Sequence, residues 1–134
     1  MKIFLDTNIF LDLLFARAGY DEALRIIEAV ESAKFEGYLL DITLLNIDCV
    51  AKKQRKEIRD FLELINSTFT VCGADNEIIE QALLLDHTDF ENSVQLISAI
   101  GCGCEVLVTN DKDFPTHPSI EILDPHTFIK NNLQ

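Results

Sequence analysis

The sequence predicts an α/β fold, a largely parallel sheet covered by helices on both faces. Three observations predict it. Short apolar runs rich in β-branched and aromatic residues alternate with stretches of helical periodicity along the whole chain, the pattern of parallel strands joined by helical crossovers. The chain has 134 residues, of which 48% are hydrophobic, so residues 1–134 suffice for one domain with a single real core. Glycine and proline number only five and three, and no segment repeats, which disfavours linkers, solenoids and arrays.

The elements follow in order. Lys2 to Leu5 reads as a short strand with Asp6 at its carboxyl end. Thr7 or Asn8 can cap a helix running to about Phe15, and Ala18 to Tyr20 is a break. Asp21 is the expected cap of a second helix, with Ala23, Leu24, Ile27 and Val30 at helical spacing. Gly37 to Leu40 is a strand, Thr43 to Val50 a helix, and Ile58, Phe61, Leu62 and Ile65 mark a further amphipathic helix. Thr68 to Val71 is a strand, Asn76 to Leu85 a helix, and Phe90 to Ile100 a helix that Gly101 or Gly103 ends. Glu105 to Thr109 and Ile120 to Leu123 are strands, and Pro125 opens a last helix.

Composition narrows the function classes. No apolar run of about 18 residues is present, so no membrane span is expected, and the acid at residue 6 is too early for a secretory leader. Cys49, Cys72, Cys102 and Cys104 show no Cys-x-x-Cys spacing and no paired His. They read as packed thiols of a cytoplasmic protein rather than zinc ligands. The net charge of −12 argues against a broad nucleic-acid-binding surface. Five of the eleven basic residues nevertheless fall together, at Lys52, Lys53, Arg55, Lys56 and Arg59. A solvated helix face is the plain reading of that stretch, and a local phosphate-contacting patch at Lys52, Lys53, Arg55 and Lys56 is the functional one. His87, His117 and His126 are scattered and read as loop or surface residues.

The acids carry more information. Ligand sites in parallel α/β sheets lie beyond the carboxyl ends of the strands. Asp6 ends the first strand, Asp111 and Asp113 follow the VLVT strand, and Asp89, Glu91 and Asn92 open the helix before it. Each alone reads as a cap or turn former. Together they form three chain-distant clusters that can meet at one sheet edge. Gathered carboxylates repel unless a cation lies between them, and a partial set of hard oxygen ligands suits Mg²⁺ or Mn²⁺. Such a cation favours phosphodiester hydrolysis. Asp12, on the first helix, reads as a surface acid or as a supporting residue near that cation.

LDTNIFLDLL at 5–14 and DFENSVQLISAIGCGCEVLVTNDKDF at 89–114 resemble the two signatures of the PIN domain family. The resemblance spans nearly the whole chain in length and element order. It implies a three-layer α/β/α sandwich and metal-dependent cleavage of RNA. Small members of the VapC type are toxins held by a cognate antitoxin, so the resemblance also implies an antitoxin partner and allows a homodimer.

Carried over residue by residue, the resemblance assigns catalysis to Asp6, Asn92, Asp111 and Asp113, and the Mg²⁺ or Mn²⁺ to Asp6, Asp111 and Asp113. Asn46, Thr109, Asn110 and Asp89 fall on supporting positions. Two departures stand out: Asn46 and Asn92 occupy positions where the family pattern has acids. An amide keeps an oxygen ligand but gives up a negative charge and cannot serve as a base. Asp48 lies about 200° around the helix from Asn46 and is no replacement. Two readings therefore stay open, a metal-dependent endoribonuclease and a weakened or inactive PIN-like module that binds RNA or a protein. A phosphatase-like domain fits less well, because it would carry Asp-x-Asp where this chain has Asp6, Thr7 and Asn8.

Overall fold

The computed structural model describes residues 1–133. Five strands form one sheet: β1 (Lys2–Leu5), β2 (Glu36–Leu40), β3 (Phe69–Cys72), β4 (Val106–Val108) and β5 (Glu121–Leu123). Seven helices connect and cover them: α1 (Thr7–Leu14), α2 (Tyr20–Glu31), α3 (Asp41–Lys53), α4 (Arg59–Thr68), α5 (Asn76–Leu84), α6 (Phe90–Gly101) and α7 (Pro125–Asn132). The strand order is β3-β2-β1-β4-β5, and every pairing is parallel.

Alternation along the strands divides the core in two. Ile3 and Leu5 of β1, Leu39 of β2, and Val106 and Val108 of β4 point to one face, against α1, α2, α3, α4 and α7. Phe4, Leu40 and Leu107 point to the other, against α5 and α6. The result is the three-layer α/β/α sandwich. Among the described residues no helix is long and apolar enough to cross a membrane.

The strand order fixes where a ligand site can form. From β1 the chain builds outward through β2 to β3, then crosses back to lay β4 on the other side of β1. The crevice at such a switch point opens at the carboxyl ends of the two central strands. Here those ends carry Asp6 and Thr109, and the Asp6 N–H still donates to the Val108 carbonyl at 3.1 Å.

Several helix ends differ from expectation. The cap of α1 is Asp6 rather than Thr7 or Asn8, and its side chain makes no capping bond. The second helix begins at Tyr20 behind Gly19, so Asp21 lies inside its first turn, where its charge suits the helix dipole. Helix α3 extends three residues beyond Val50 and takes in Lys52 and Lys53 as its last turn. The expected stop after α6 does form: Gly103 takes the left-handed conformation, with φ of 77°. Cys72 and Cys104 are packed, and burial pushes each thiol up to about 12, whereas Cys49 is exposed.

One glycine is demanded by space. A Cβ on Gly37 of β2 would stand 2.5 Å from Phe69 Cε2 and 2.8 Å from Val30 Cγ1. Both neighbours belong to the larger core, so neither can withdraw without opening it. Gly37→Ala is expected to lower stability by about 1–3 kcal/mol, the usual cost of overpacking. Urea unfolding followed by circular dichroism would measure it, and an unchanged midpoint would show that Phe69 repacks freely.

Candidate active site

Asp6 is the centre of the site. It is only 2% exposed, although it carries a carboxylate. Its Oδ1 accepts a hydrogen bond from Gln95 Nε2 and its Oδ2 one from Thr109 Oγ1, both at 2.8 Å. Those two bonds join β1 to α6 and to the end of β4. They also explain why the side chain does not cap α1: both oxygens are taken. Burial pushes the Asp6 carboxyl above its ordinary value, while the Gln95 and Thr109 bonds pull it down and the Glu91 charge pushes it up.

The loop after β4 is folded onto the same centre. Thr109 Oγ1 accepts the Asp111 N–H at 3.0 Å while donating to Asp6. Asp111 Oδ1 accepts the Asp113 N–H at 2.9 Å, and its Oδ2 accepts Asn92 Nδ2 at 2.7 Å. Asn92 is buried in the first turn of α6, behind Asp89. Asp89 itself acts as the helix cap, accepting the Asn92 N–H at 3.1 Å. Asn110 points outward to α1, donating to Asp12 Oδ2 at 2.7 Å. Gly19 makes room for that pair, since a Cβ there would meet Asp12 Oδ2 at 2.5 Å.

Asn46 joins from α3 through an intermediary. Its Nδ2 donates to Glu91 Oε1 at 2.9 Å. Glu91 Oε2 accepts Thr7 Oγ1 at 3.4 Å, and Thr7 in turn shares a 2.7 Å hydrogen bond with the buried Thr43. The polar layer thus runs from α3 across the start of α1 to α6.

The expected residues meet only in part. Asp6, Thr109, Asp111 and Asn92 enter one connected network at the switch point, and Asn46 lies in a second one with Glu91, Thr7 and Thr43. Asp113 contributes its backbone, while its side chain is exposed. Among the described residues no three His, Cys, Asp or Glu side chains stand close enough to hold a metal ion. The physical reason lies in the amides: Asn46 and Asn92 each turn an N–H toward a carboxylate and so satisfy charge that would otherwise repel.

The basic stretch sits at the end of α3. Lys52 pairs with Asp48 at 2.9 Å, and Lys56 Nζ donates to the Leu14 carbonyl at 2.7 Å. Lys53 and Arg55 are exposed. Lys53 follows Asn46 by seven residues, so it lies on the same helix face about 10 Å further on. A cleft of about 530 Å³ opens on the other side of the site, lined by Thr109, Asn110, Asp111 and Lys112 and by the start of α7.

The sequence motifs point to neither Gln95 nor His87, whereas Glu91 belongs to the acidic cluster at the start of α6 and Asp12 is a candidate supporting residue. His87 Nδ1 accepts the Asp89 N–H at 3.1 Å. Its Nε2 lies 2.9 Å from the Asp113 carbonyl, so the ring clamps the two acidic loops together.

Comparison with known proteins sets this geometry among relatives. A family model described as PIN domain matches residues 2–113. Ribonuclease VapC1 of Aquifex aeolicus (strain VF5) is 24% identical over 136 residues, covering 96% of this chain and 94% of that protein. A toxin–antitoxin complex from Klebsiella pneumoniae contains a chain that is 27% identical, with a TM-score of 0.70, over 92% of this chain and 97% of that one. Mycobacterium tuberculosis VapC20, a toxin that cleaves the sarcin–ricin loop, shares the fold at 18% identity and a TM-score of 0.66, over 84% and 92% of the two chains.

The buried Asp6 charge has a consequence for stability. Its carboxyl is raised in the folded state, so its stabilising contribution is present in full below the ordinary value of 3.8 and is lost as pH rises through the raised value. Asp6→Asn removes that charge, and a turned Gln95 amide can offer its oxygen to the new N–H. At pH 7 the variant is expected to exceed the wild type by about 0.5–2 kcal/mol, as functional-site relief commonly does. The gap should narrow as pH falls toward the carboxylate range. Denaturant titrations at pH 7 and pH 5 test both statements; a less stable variant at pH 7 would show that Gln95 and Thr109 require the negative charge.

Proposed function

We propose that this chain, which belongs to the PIN domain family, is a Mg²⁺- or Mn²⁺-dependent endoribonuclease and the toxin of a toxin–antitoxin pair. The observation that carries the reading is the union of Asp6 and Asp111 through Thr109 at the switch point of a parallel sheet. Similarity to ribonuclease VapC1 and to a toxin–antitoxin complex supports RNA as substrate and an antitoxin as partner.

The donor set fits a hard divalent cation. The side chains that hydrogen-bond to the Asp6 and Asp111 carboxylates are amides and a hydroxyl. Gln95, whose Nε2 donates to Asp6, has its Oε1 buried without a hydrogen-bond partner. Asp6 and Asp111 would hold the cation, with Asn92 offering its carbonyl oxygen once its amide turns and Asp113 reaching it only if its exposed side chain swings inward. When bound, such a cation supplies charge stabilisation at a phosphoryl oxygen and lowers the pKa of a water. The chain's own residues orient the site: Thr109 and Gln95 fix the Asp6 carboxylate, and His87 holds the Asp111–Asp113 loop against α6. Lys53 and Arg55 on one side, and Lys112 in the cleft on the other, are the cations available to the RNA backbone.

One observation favours the second reading, a weakened module that binds RNA or a protein. Asn46 and Asn92 each meet a carboxylate with an amide N–H, so the hydrogen bonding is satisfied without a cation. Asn92→Asp separates the two readings. It sets a second carboxylate against Asp111 at a contact now 2.7 Å long, which strengthens the demand for a cation. The variant should cleave a fluorescent single-stranded RNA with Mn²⁺ at least tenfold faster, about 1.4 kcal/mol of barrier. Its melting temperature should also rise more on adding Mn²⁺ than that of the wild type. Asn92→Asp combined with Asp6→Ala should be inert, which excludes a contaminating nuclease. If wild type and Asn92→Asp neither cleave RNA nor respond to Mn²⁺, the non-catalytic module is the better account.

A further inference from the structure

We propose that Cys72 and Cys102 form an oxidation-sensitive pair, two thiols that a hydroperoxide closes into a disulfide between the end of β3 and the end of α6. The pair stands apart from the polar site and takes in the first cysteine of the GCGC segment, which that site does not use.

Strand alternation sets the direction of Cys72. Phe69 and Val71 pack into the larger core, so Cys72, the next residue, faces the layer of α5 and α6. It lies in register with Leu40, which belongs to the smaller core under those helices. Cys102 reaches the same core from the C-cap of α6. Helix packing brings the two together. Asp75 caps α5 just after Cys72, and the first turn of α5 lies against the last turn of α6: a Cβ on Gly101 would stand 3.4 Å from Ile78 Cδ1. Asp75, Ile78, Ile100 and Gly101 line one shared cleft of about 380 Å³. In this arrangement the Cys72 and Cys102 thiols are hydrogen-bonded to each other. Among the described residues no further Cys, His, Asp or Glu stands close enough to make a metal site of the pair.

Exposure divides the roles. Cys72 and Cys104 are buried, whereas Cys102 is half-exposed. Burial also pushes the Cys72 thiol up to about 12, which keeps it protonated and slow toward an oxidant in solution. The first step therefore belongs to Cys102. Its sulfur attacks the peroxide O–O bond and takes one hydroxyl to become a sulfenic acid, while its proton leaves with the other oxygen. In the second step the Cys72 sulfur attacks the Cys102 sulfur. The S–O bond breaks, the S–S bond forms, and the Cys72 proton leaves with the hydroxyl as water. Two thiols thus give two electrons to one peroxide. Cys104 lies beyond the left-handed turn at Gly103, where its N–H is tied back to the Ala99 carbonyl at 3.0 Å. The new bond would close a loop that holds all of α5 and α6, and with them Asn92 and Gln95.

Hydrogen peroxide added to the Cys49→Ser protein, which lacks the exposed thiol, tests this. Cleavage after glutamate separates Cys72 from Cys102 at Glu77, Glu80 and Glu91 but leaves Cys102 and Cys104 on one fragment. Mass spectrometry should find the two fragments joined with the loss of two hydrogens, and dithiothreitol should part them. The link should vanish in Cys102→Ser and persist in Cys104→Ala. Cys102 is half-exposed, so its serine variant decides the pairing even if Cys104→Ala does not fold. The oxidised protein should melt at least about 5 °C above the reduced one, because a cross-link restricts the unfolded chain. Three unreacted thiols, oxidation that stops at Cys102, a link that survives in Cys102→Ser, or an oxidised protein that melts below the reduced one would each overturn the proposal.

Discussion

The Asp6 carboxylate, buried and held by Gln95 and Thr109, is the constraint on which the rest of the site depends. A charge at 2% exposure survives only if its oxygens are met. The donors that meet them come from α6 and from the end of β4, so satisfying one residue brings two distant segments into register. The Thr109 hydroxyl then receives the Asp111 N–H, and Asp111 receives Asn92. Each step of this chain follows from the one before it, and none would hold if the Asp6 carboxylate capped its own helix.

The site differs from a plain cluster of acids because amides occupy two of its corners. An Asp beside another Asp needs a cation or a proton, whereas an Asn beside an Asp supplies a donor of its own. Asn92 against Asp111 and Asn46 against Glu91 follow this logic. The arrangement is satisfied by hydrogen bonds alone. The same amides retain an oxygen, so a half-turn of each side chain would present an acceptor in place of a donor. A cation entering the site would first have to break these hydrogen bonds, worth about 1.5–3 kcal/mol each when one partner is charged.

Much of this was legible in the sequence. Strand β1 ends in an acid and β4 in Thr109-Asn110-Asp111, and the rule that sites lie beyond strand ends puts those residues together before any coordinates are seen. What stayed hidden was polar chemistry inside helices. Gln95 lies in the middle of a helix whose neighbours are apolar, and a single glutamine there reads as an exposed position. Its spacing gave a signal: Asn92, Gln95 and Ser98 recur every three residues and are all buried, a polar stripe on an inward face. Glu91 and Asp12 could be read only as candidates, for another reason. An acid in a first helical turn or on a helix surface has an ordinary explanation, and only the partners Asn46, Thr7 and Asn110 reveal that each points inward. At the first helix the favoured cap gives way because the Thr7 hydroxyl is engaged with Thr43 and Glu91.

The crossover that sets β4 beside β1 also governs when the site comes into being. Strand β1 is complete at Leu5, yet its partner β4 begins at Val106, and Asp6 meets Gln95 and Thr109 only across separations of 89 and 103 residues. Contacts of such span form late, because the intervening chain must be ordered first. During synthesis the first acid would leave the ribosome long before the residues that hold it, since domains fold as units once their segments are available. A nascent or prematurely terminated chain that lacks β4 has the opening motif but no site. For a protein read as a toxin, a copy cut short before β4 would lack Thr109 and Asp111 and with them the polar network around Asp6.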